Sequence, residues 1–247
     1  MGHLVADAPP ETVEMPEVRH VNRVHLPIDR TPIRWERDNA DAIAAHWETA
    51  IAERPTMFNG VVYCTTSVRM DTASVSATAH PMQFAGLTYW RHLGMPPVGF
   101  HSVFGDIVLR GSDGGLIMAR TSAHTATGGM LGFPGGTFDD DDVTEDGLDP
   151  SSCILRECAE ETGWQASELD LQSGYLVYLD QSRLAITAIG DMGVQAAEGA
   201  ARIRATLDKQ DQPELSEIYV VGAQADLDRI GPHPYSRVLA DWIFENG

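Results

Sequence analysis

Basic residues are scarce in this chain. Its 247 residues include 17 Lys and Arg against 36 Asp and Glu, a formal net charge of −19. Binding to nucleic acid uses Lys and Arg to displace counterions from phosphates, so no nucleic-acid partner is expected. Anionic membrane surfaces are disfavoured on the same ground. No uninterrupted apolar run approaches the roughly 18 residues of a transmembrane helix, so no membrane partner is expected, and the first residues lack a basic-then-apolar secretory pattern. Cysteine is limited to Cys64, Cys153 and Cys158, with no C-x-x-C. Nothing in that number or spacing suggests a disulfide framework, and a reducing cytoplasm is the expected location. On a helix Cys153 and Cys158 would project about 140° apart, too divergent to share a zinc ion. All three read as buried thiols. No internal repeat is present. An anionic substrate of so acidic a protein has to be met by local cations: a metal ion, arginines or helix N-termini.

What is present is an ordinary globular composition, 43% hydrophobic and 21% charged, long enough for one large domain or one domain with an elaborated flank. Residues 1–20, rich in Pro, Glu and Ala, read as a mobile tail. Ile43, Trp47 and Ile51 recur every four residues and predict a helix over 39–54, ended by Pro55. Strands are predicted over 61–68 and 74–80, and a helix over 84–93 before Gly94. A hairpin is predicted from 104–110 and 116–121 around the turn 111–115, then a short strand over 130–133. A helix over 150–162 has Asp149 as N-cap and Pro150 in its first position. Strands over 175–179, 184–189 and 218–221 and a closing helix over 234–244 complete an α/β chain.

The helix over 150–162 carries the chemistry. At about 100° per residue, Glu157, Glu160 and Glu161 fall within an arc of roughly 100°, while Leu155, Cys158, Ala159 and Thr162 occupy the opposite side. Like charges this close destabilise a helix and raise one another's pKa. A cation seated among them relieves that repulsion, and oxygen-only ligands favour Mg²⁺ or Mn²⁺.

Arg156-Glu157-Cys158-Ala159-Glu160-Glu161-Thr162-Gly163-Trp164 resembles the core of the Nudix box, R-E-U-x-E-E-x-G-U with U a bulky apolar residue. Phe133-Pro134-Gly135-Gly136 looks like its strand-to-loop entry. The resemblance implies an α/β/α sandwich with a mixed sheet, here with an N-terminal α+β elaboration. It divides the chain into the tail 1–20, a flanking region 21–98 and a Nudix domain 99–247. It further implies a Mg²⁺-dependent (or Mn²⁺-dependent) diphosphatase acting on a small nucleotide conjugate, with a homodimer left open. Glu157, Glu160 and Glu161 would hold the metal. Arg156, which in such proteins holds a glutamate in its ligating rotamer, would join Glu160 and Glu161 as the catalytic set. Gly135 and Gly136 would let backbone approach the phosphates, and Arg120 would meet them. The general base would be a box glutamate or one of Glu214 and Glu217. Arg183, His101 and His124 are weaker candidates for touching substrate.

The box departs from its pattern in one place. The pattern has a glutamate eight residues before the arginine and a glycine six residues before that glutamate. Leu148 stands at the glutamate position, and Gly136 lies about six residues too far upstream. The extra residues read as a loop insertion containing Asp139-Asp140-Asp141-Asp142. As a charge run, it reads as solvated and mobile. Glu145, Asp146 and the loop aspartates are the candidates for the displaced carboxylate.

For the substrate, Phe58-Asn59-Gly60 and Leu87-Thr88-Tyr89-Trp90-Arg91 resemble the flank of a Nudix branch that cleaves UDP-sugars, which makes a nucleotide-sugar the first expectation. A coenzyme A-type conjugate comes next, from the pattern Leu116–Thr121, Gly128 and Phe133–Gly136. A non-catalytic Nudix-fold sensor of a nucleotide metabolite is the alternative, favoured by Leu148. An isopentenyl-type isomerase would need a catalytic cysteine, and no motif around Cys64 supports one.

Overall fold

The computed structural model describes residues 16–246. In chain order the first elements are β1 (Glu17–Val21), β2 (Arg23–His25), α1 (Arg34–Asp38), α2 (Ala40–Glu53), β3 (Val61–Met70), β4 (Ser74–Gln83) and α3 (Phe84–His92). Then follow β5 (His101–Arg110), β6 (Leu116–Thr121), β7 (Leu131–Gly132), β8 (Gly135–Thr137), β9 (Val143–Thr144), β10 (Gly147–Leu148) and α4 (Pro150–Thr162). The last are β11 (Asp170–Leu171), β12 (Tyr175–Leu179), β13 (Arg183–Asp191), α5 (Ala196–Leu207), β14 (Leu215–Val221), α6 (Gln224–Ile230) and α7 (Pro234–Asn246). No helix among the described residues is long and apolar enough to cross a membrane.

The main sheet runs β1-β12-β13-β5-β3-β4-β2, with β6, β7, β8, β11 and β14 joined off this path. Strands β5 and β13 are parallel, and β3 lies antiparallel to β5 through Cys64–Ser102 and Thr65–His101, so the sheet is mixed. Strand β5 is buried on both faces. Val103, Ile107 and Leu109 enter one core with Cys153, Ile154 and Cys158 of α4 and Ala200 and Ile203 of α5. Phe104 and Val108 face a second core built with Leu227 of α6 and Tyr235, Leu239 and Ile243 of α7. Helices therefore cover both faces of one sheet, the α/β/α sandwich expected from the sequence. Gly105 belongs to this packing, because a Cβ there would press on Ile154 at 2.7 Å.

The flanking region is continuous with that sheet. Strands β3 and β4 extend it beyond β5, and Trp90 of α3, fully buried, packs on Phe100 with ring centroids 4.8 Å apart. No physical gap marks the boundary placed at residue 98. The tail expected over 1–20 is also shortened from its end. Residues 1–15 lie outside the described residues, but Glu17–Val21 is an edge strand pairing Glu17 with Leu179 through Val21 with Tyr175. Two apolar side chains suffice for it, Val21 entering one core and Val18 the other.

The hairpin expected from 104–121 is present only at its turn. Arg110–Leu116 is the one ladder pair between β5 and β6. Strand β8 pairs with Phe104, Gly105 and Asp106 of β5, while β14 and β7 take β6. Helix α5 had no counterpart among the expected elements. Its buried stripe is Ala196, Gly199, Ala200, Ile203 and Leu207, helically spaced but mostly too small to register as an apolar period.

Candidate active site

Helix α4 does not split into the two faces expected: Glu161 is buried with Cys153, Ile154, Cys158 and Thr162, while Leu155 and Ala159 are only half-buried. Asp149 caps it by accepting the Ser151 N–H at 3.0 Å, Pro150 opens it and Gly163 closes it. Its inner stripe of Cys153, Ile154 and Cys158 is buried against β5, which turns Glu157 and Glu161 toward the loop between β7 and β8. There the Gly135 N–H donates to Glu161 Oε2 at 2.8 Å. A side chain at Gly135 is precluded by its φ of 155° and by overlap with the Gly105 carbonyl, and one at Gly136 by overlap with the Glu157 carboxyl. The two glycines thus line the seat of the two glutamates.

Burial is the main cause that raises Glu157 to about 7, reinforced by Glu160 and Glu214 and opposed by Arg156. Burial likewise lifts Glu161 well above the carboxylate range, with Glu157, Glu214 and Glu160 adding to it and the Gly135 N–H opposing it. Glu160 sits on the outer edge of the arc, its side chain 62% exposed and 3.6 Å from Arg156.

Arg156 answers the question left by Leu148. Its Nη2 donates to Asp142 Oδ2 at 3.0 Å and its Nη1 to Glu157 Oε1 at 2.9 Å, with Asp139 at 3.4 Å. Asp142 is fully buried, not part of a solvated loop. The aspartate run is a 3₁₀ turn over Asp140–Asp142 capped by Asp139, and Tyr63 donates its hydroxyl proton to Asp140 at 2.9 Å. Asp142 folds inward because Arg156 and the Asp139 N–H bind it, whereas Asp140 and Asp141 remain exposed.

The inserted residues are the hairpin β9–β10, pairing Val143 with Leu148 and Thr144 with Gly147. It is closed at its base by the Asp149 N–H donating to the Asp142 carbonyl at 2.9 Å. With residues 143–148 left out of the count, Asp142 stands eight places before Arg156 and six after Gly136. The box is therefore interrupted by a closed hairpin, and an aspartate occupies the place of its glutamate. Leu148 itself is buried in the core, and its N–H donates to the Leu26 carbonyl at 3.0 Å.

A cavity of about 680 Å³ opens beside these residues, lined at this end by Gly135, Gly136, Glu157, Glu161 and Glu214. Asp106 on β5 forms part of its floor. The residue is 1% exposed and accepts the Thr187 hydroxyl, and burial raises it to about 7 against that bond. The wall also includes His124, Arg183, His233 and residues of the flanking region.

Arg120, expected to meet phosphate, is not in the cavity wall; it donates to Glu217 at 2.8 Å and to the Gly129 carbonyl at 2.9 Å. Glu217 is occupied by the same pair, which leaves Glu214 as the later carboxylate at the cavity. Glu160 is outside the wall as well. His101 is likewise absent from it, whereas Arg183, ranked low from sequence, lies within it. Asp106 was missed altogether, since a lone aspartate in a strand carries no motif.

The donor set at this end is made of carboxylates that repel one another, with Arg156 the cation that touches them, and this chemistry fits a hard divalent ion. Among the described residues no group of three acidic, His or Cys side chains already stands arranged to hold one. Seating an ion thus requires side-chain rotation, which the exposed Glu160 is free to make.

The NUDIX domain family matches residues 100–188, from the start of β5 into β13 and across the whole interrupted box. The chain carries a Nudix domain. Similar solved structures include the MutT protein from Methanosarcina mazei Go1, 18% identical, covering 59% of this chain and 94% of its own, TM-score 0.41. The Nudix hydrolase RenU from M. smegmatis is 15% identical over 59% of this chain and 86% of its own, TM-score 0.39. A bifunctional NMN adenylyltransferase/ADP ribose pyrophosphatase from Francisella tularensis is 16% identical over 65% of this chain and 46% of its own, TM-score 0.38. These likenesses are partial, and the assignment rests on the family match. No curated protein matches the chain.

Proposed function

We propose that the Nudix domain is catalytically competent and hydrolyses the diphosphate linkage of a nucleoside diphosphate conjugate with Mg²⁺ or Mn²⁺. The observation that carries this reading is the repaired box: Asp142, Arg156 and Glu157 form a connected chain of charge-assisted bonds around a hairpin insertion. Residues kept only for packing have no need of buried, mutually repelling carboxylates. That consideration also weighs against the sensor reading, whose support was Leu148.

Glu157 and Glu161, with Glu160 swinging in from the helix edge, would hold the ion. When bound, it supplies charge neutralisation at the diphosphate oxygens and a water of lowered pKa. Arg156 fixes the Glu157 rotamer, and Asp142 in turn fixes Arg156. The Gly135 N–H fixes Glu161. Glu214, facing the pair from the cavity wall, is the carboxylate best placed to accept the proton of the attacking water. The nucleotide-sugar and coenzyme A-type conjugates remain the substrate classes proposed, in that order.

The test is phosphate release, after coupling to a phosphatase, from UDP-glucose, ADP-ribose, NADH, coenzyme A, dinucleoside polyphosphates and nucleoside triphosphates, with Mg²⁺, Mn²⁺ or EDTA. Metal-dependent cleavage of a conjugate supports the reading. Silence across the panel together with intact nucleotide binding would favour the sensor.

A further inference from the structure

The cavity has a second pole, and its charge is of the opposite sign. Arg183 on β13 pairs in register with Ser102 of β5, while Thr187 pairs with Asp106. Four residues of strand, about 13 Å, therefore separate the level of Arg183 from that of Asp106. Gly135, which binds Glu161, pairs with Asp106. The carboxylates and Arg183 thus stand at opposite ends of one cavity.

Arg91 of α3 joins Arg183 in the wall. It comes from the flanking region, on a helix whose Leu87 and Trp90 are buried. Its neighbour Trp90 is fully buried and donates to the Pro96 carbonyl at 2.9 Å. The segment after α3 is fastened to the β12–β13 turn by Ser182, whose hydroxyl donates to the Met95 carbonyl at 2.9 Å, and by Arg183, which meets Met95 Sδ at 3.3 Å. Arg183 has a carboxylate of its own, Asp180 at 3.0 Å. Arg91 has none among the described residues. Burial lowers it to about 10, with Arg183 adding to that and Tyr235 opposing it, so it stays cationic. His233 beside them is held neutral, near 4, by burial and by Arg183. In a chain of net charge −19, a half-buried arginine left unpaired next to another arginine is a binding group awaiting an anion.

We propose that Arg91, with Arg183, binds an anionic group, phosphate or carboxylate, on the moiety of the ligand remote from the scissile diphosphate. The flanking region would then supply substrate selectivity to the Nudix domain. The role of this group as part of a substrate rests on the hydrolase reading, but its binding does not.

The test is calorimetric binding in EDTA, with no turnover, of two matched pairs: UDP-glucuronate against UDP-glucose, and coenzyme A against dephospho-coenzyme A. The first pair differs by a carboxylate and the second by a phosphate, so the preferred pair identifies the anion. The wild-type protein should bind the member with the extra anionic group in at least one pair about tenfold or more tightly, the worth of a charge-assisted bond. Arg91→Met should abolish that preference and leave unchanged the affinity for the member without the extra anion, and Arg91→Lys should keep part of it. Because Arg91 has no carboxylate partner, the melting temperature of Arg91→Met should match wild type. No preference in either pair, no binding of any member, or a preference that survives in Arg91→Met would overturn the proposal. Anion preference without hydrolysis of any conjugate would sink the hydrolase reading alone.

Discussion

Writing the missing glutamate into the box at its literal position should damage this protein. Leu148→Glu restores the motif letter eight places before Arg156, but Leu148 is 5% exposed and packed in the main core. Losing a buried leucine costs about 1.5–3 kcal/mol, and an unpaired buried carboxyl adds at least as much again, for a total of about 3–6 kcal/mol. That is a large share of the roughly 5–15 kcal/mol that hold a domain folded. Asp142→Ala is the complementary change. It removes the 3.0 Å bond to Arg156 and the 3.1 Å bond from the Asp139 N–H. Removing one partner of a buried pair costs about 3–5 kcal/mol. Arg156 is a quarter exposed and keeps Glu157 at 2.9 Å, so about 2–3 kcal/mol is expected. Urea unfolding followed by circular dichroism gives both values. A stable and more active Leu148→Glu, paired with an indifferent Asp142→Ala, would refute the interrupted-box account.

Further outcomes follow from the same geometry. Asp106 moves from 3.8 to about 7 on folding, so the folded state binds the extra proton and stability falls as pH rises from about 4 to 7, by about 4 kcal/mol in all. Asp106→Asn should flatten its share of that slope in urea titrations at pH 5 and pH 8, and an unchanged difference between the two pH values would count against it. Glu161→Gln should lower turnover by about two orders of magnitude or more and weaken Mn²⁺ binding followed by electron paramagnetic resonance, with the fold retained. Gly136→Ala places a methyl group against the Glu157 carboxyl and should reduce metal affinity far more than it reduces the melting temperature; equal effects on both would argue for a purely structural role.

The long periodic elements were legible in the sequence. Helix α4 runs over the expected residues with the expected cap, because Asp149, Pro150 and Gly163 are strong local signals. Helix α2 and strands β3, β4 and β12 are present where expected, with ends shifted by a few residues. Helix α5 was hidden because alanine and glycine form its buried stripe. Edge strand β1 was hidden because its partner β12 lies far along the chain. At the site, Glu157, Glu161, Gly135 and Gly136 converge as the motif implied. Arg120 does not join them, since Glu217 on the neighbouring strand β14 competes for it. Asp142 was within reach of the sequence: omitting six residues restores both box spacings at once. What the sequence lacked was the closure from Asp149 to Asp142 that says which six. The cationic pole was not legible, because Arg91 and Arg183 come together only through the sheet that joins the flanking region to the Nudix domain.

The most direct measurement is the initial rate of phosphate release from the best conjugate of the panel, compared between wild type and Glu157→Gln, each with Mg²⁺ and with EDTA. The interrupted box predicts turnover by the wild type that EDTA abolishes and that Glu157→Gln lowers by about two orders of magnitude or more. Turnover insensitive to EDTA, or undiminished in the folded variant, would contradict it.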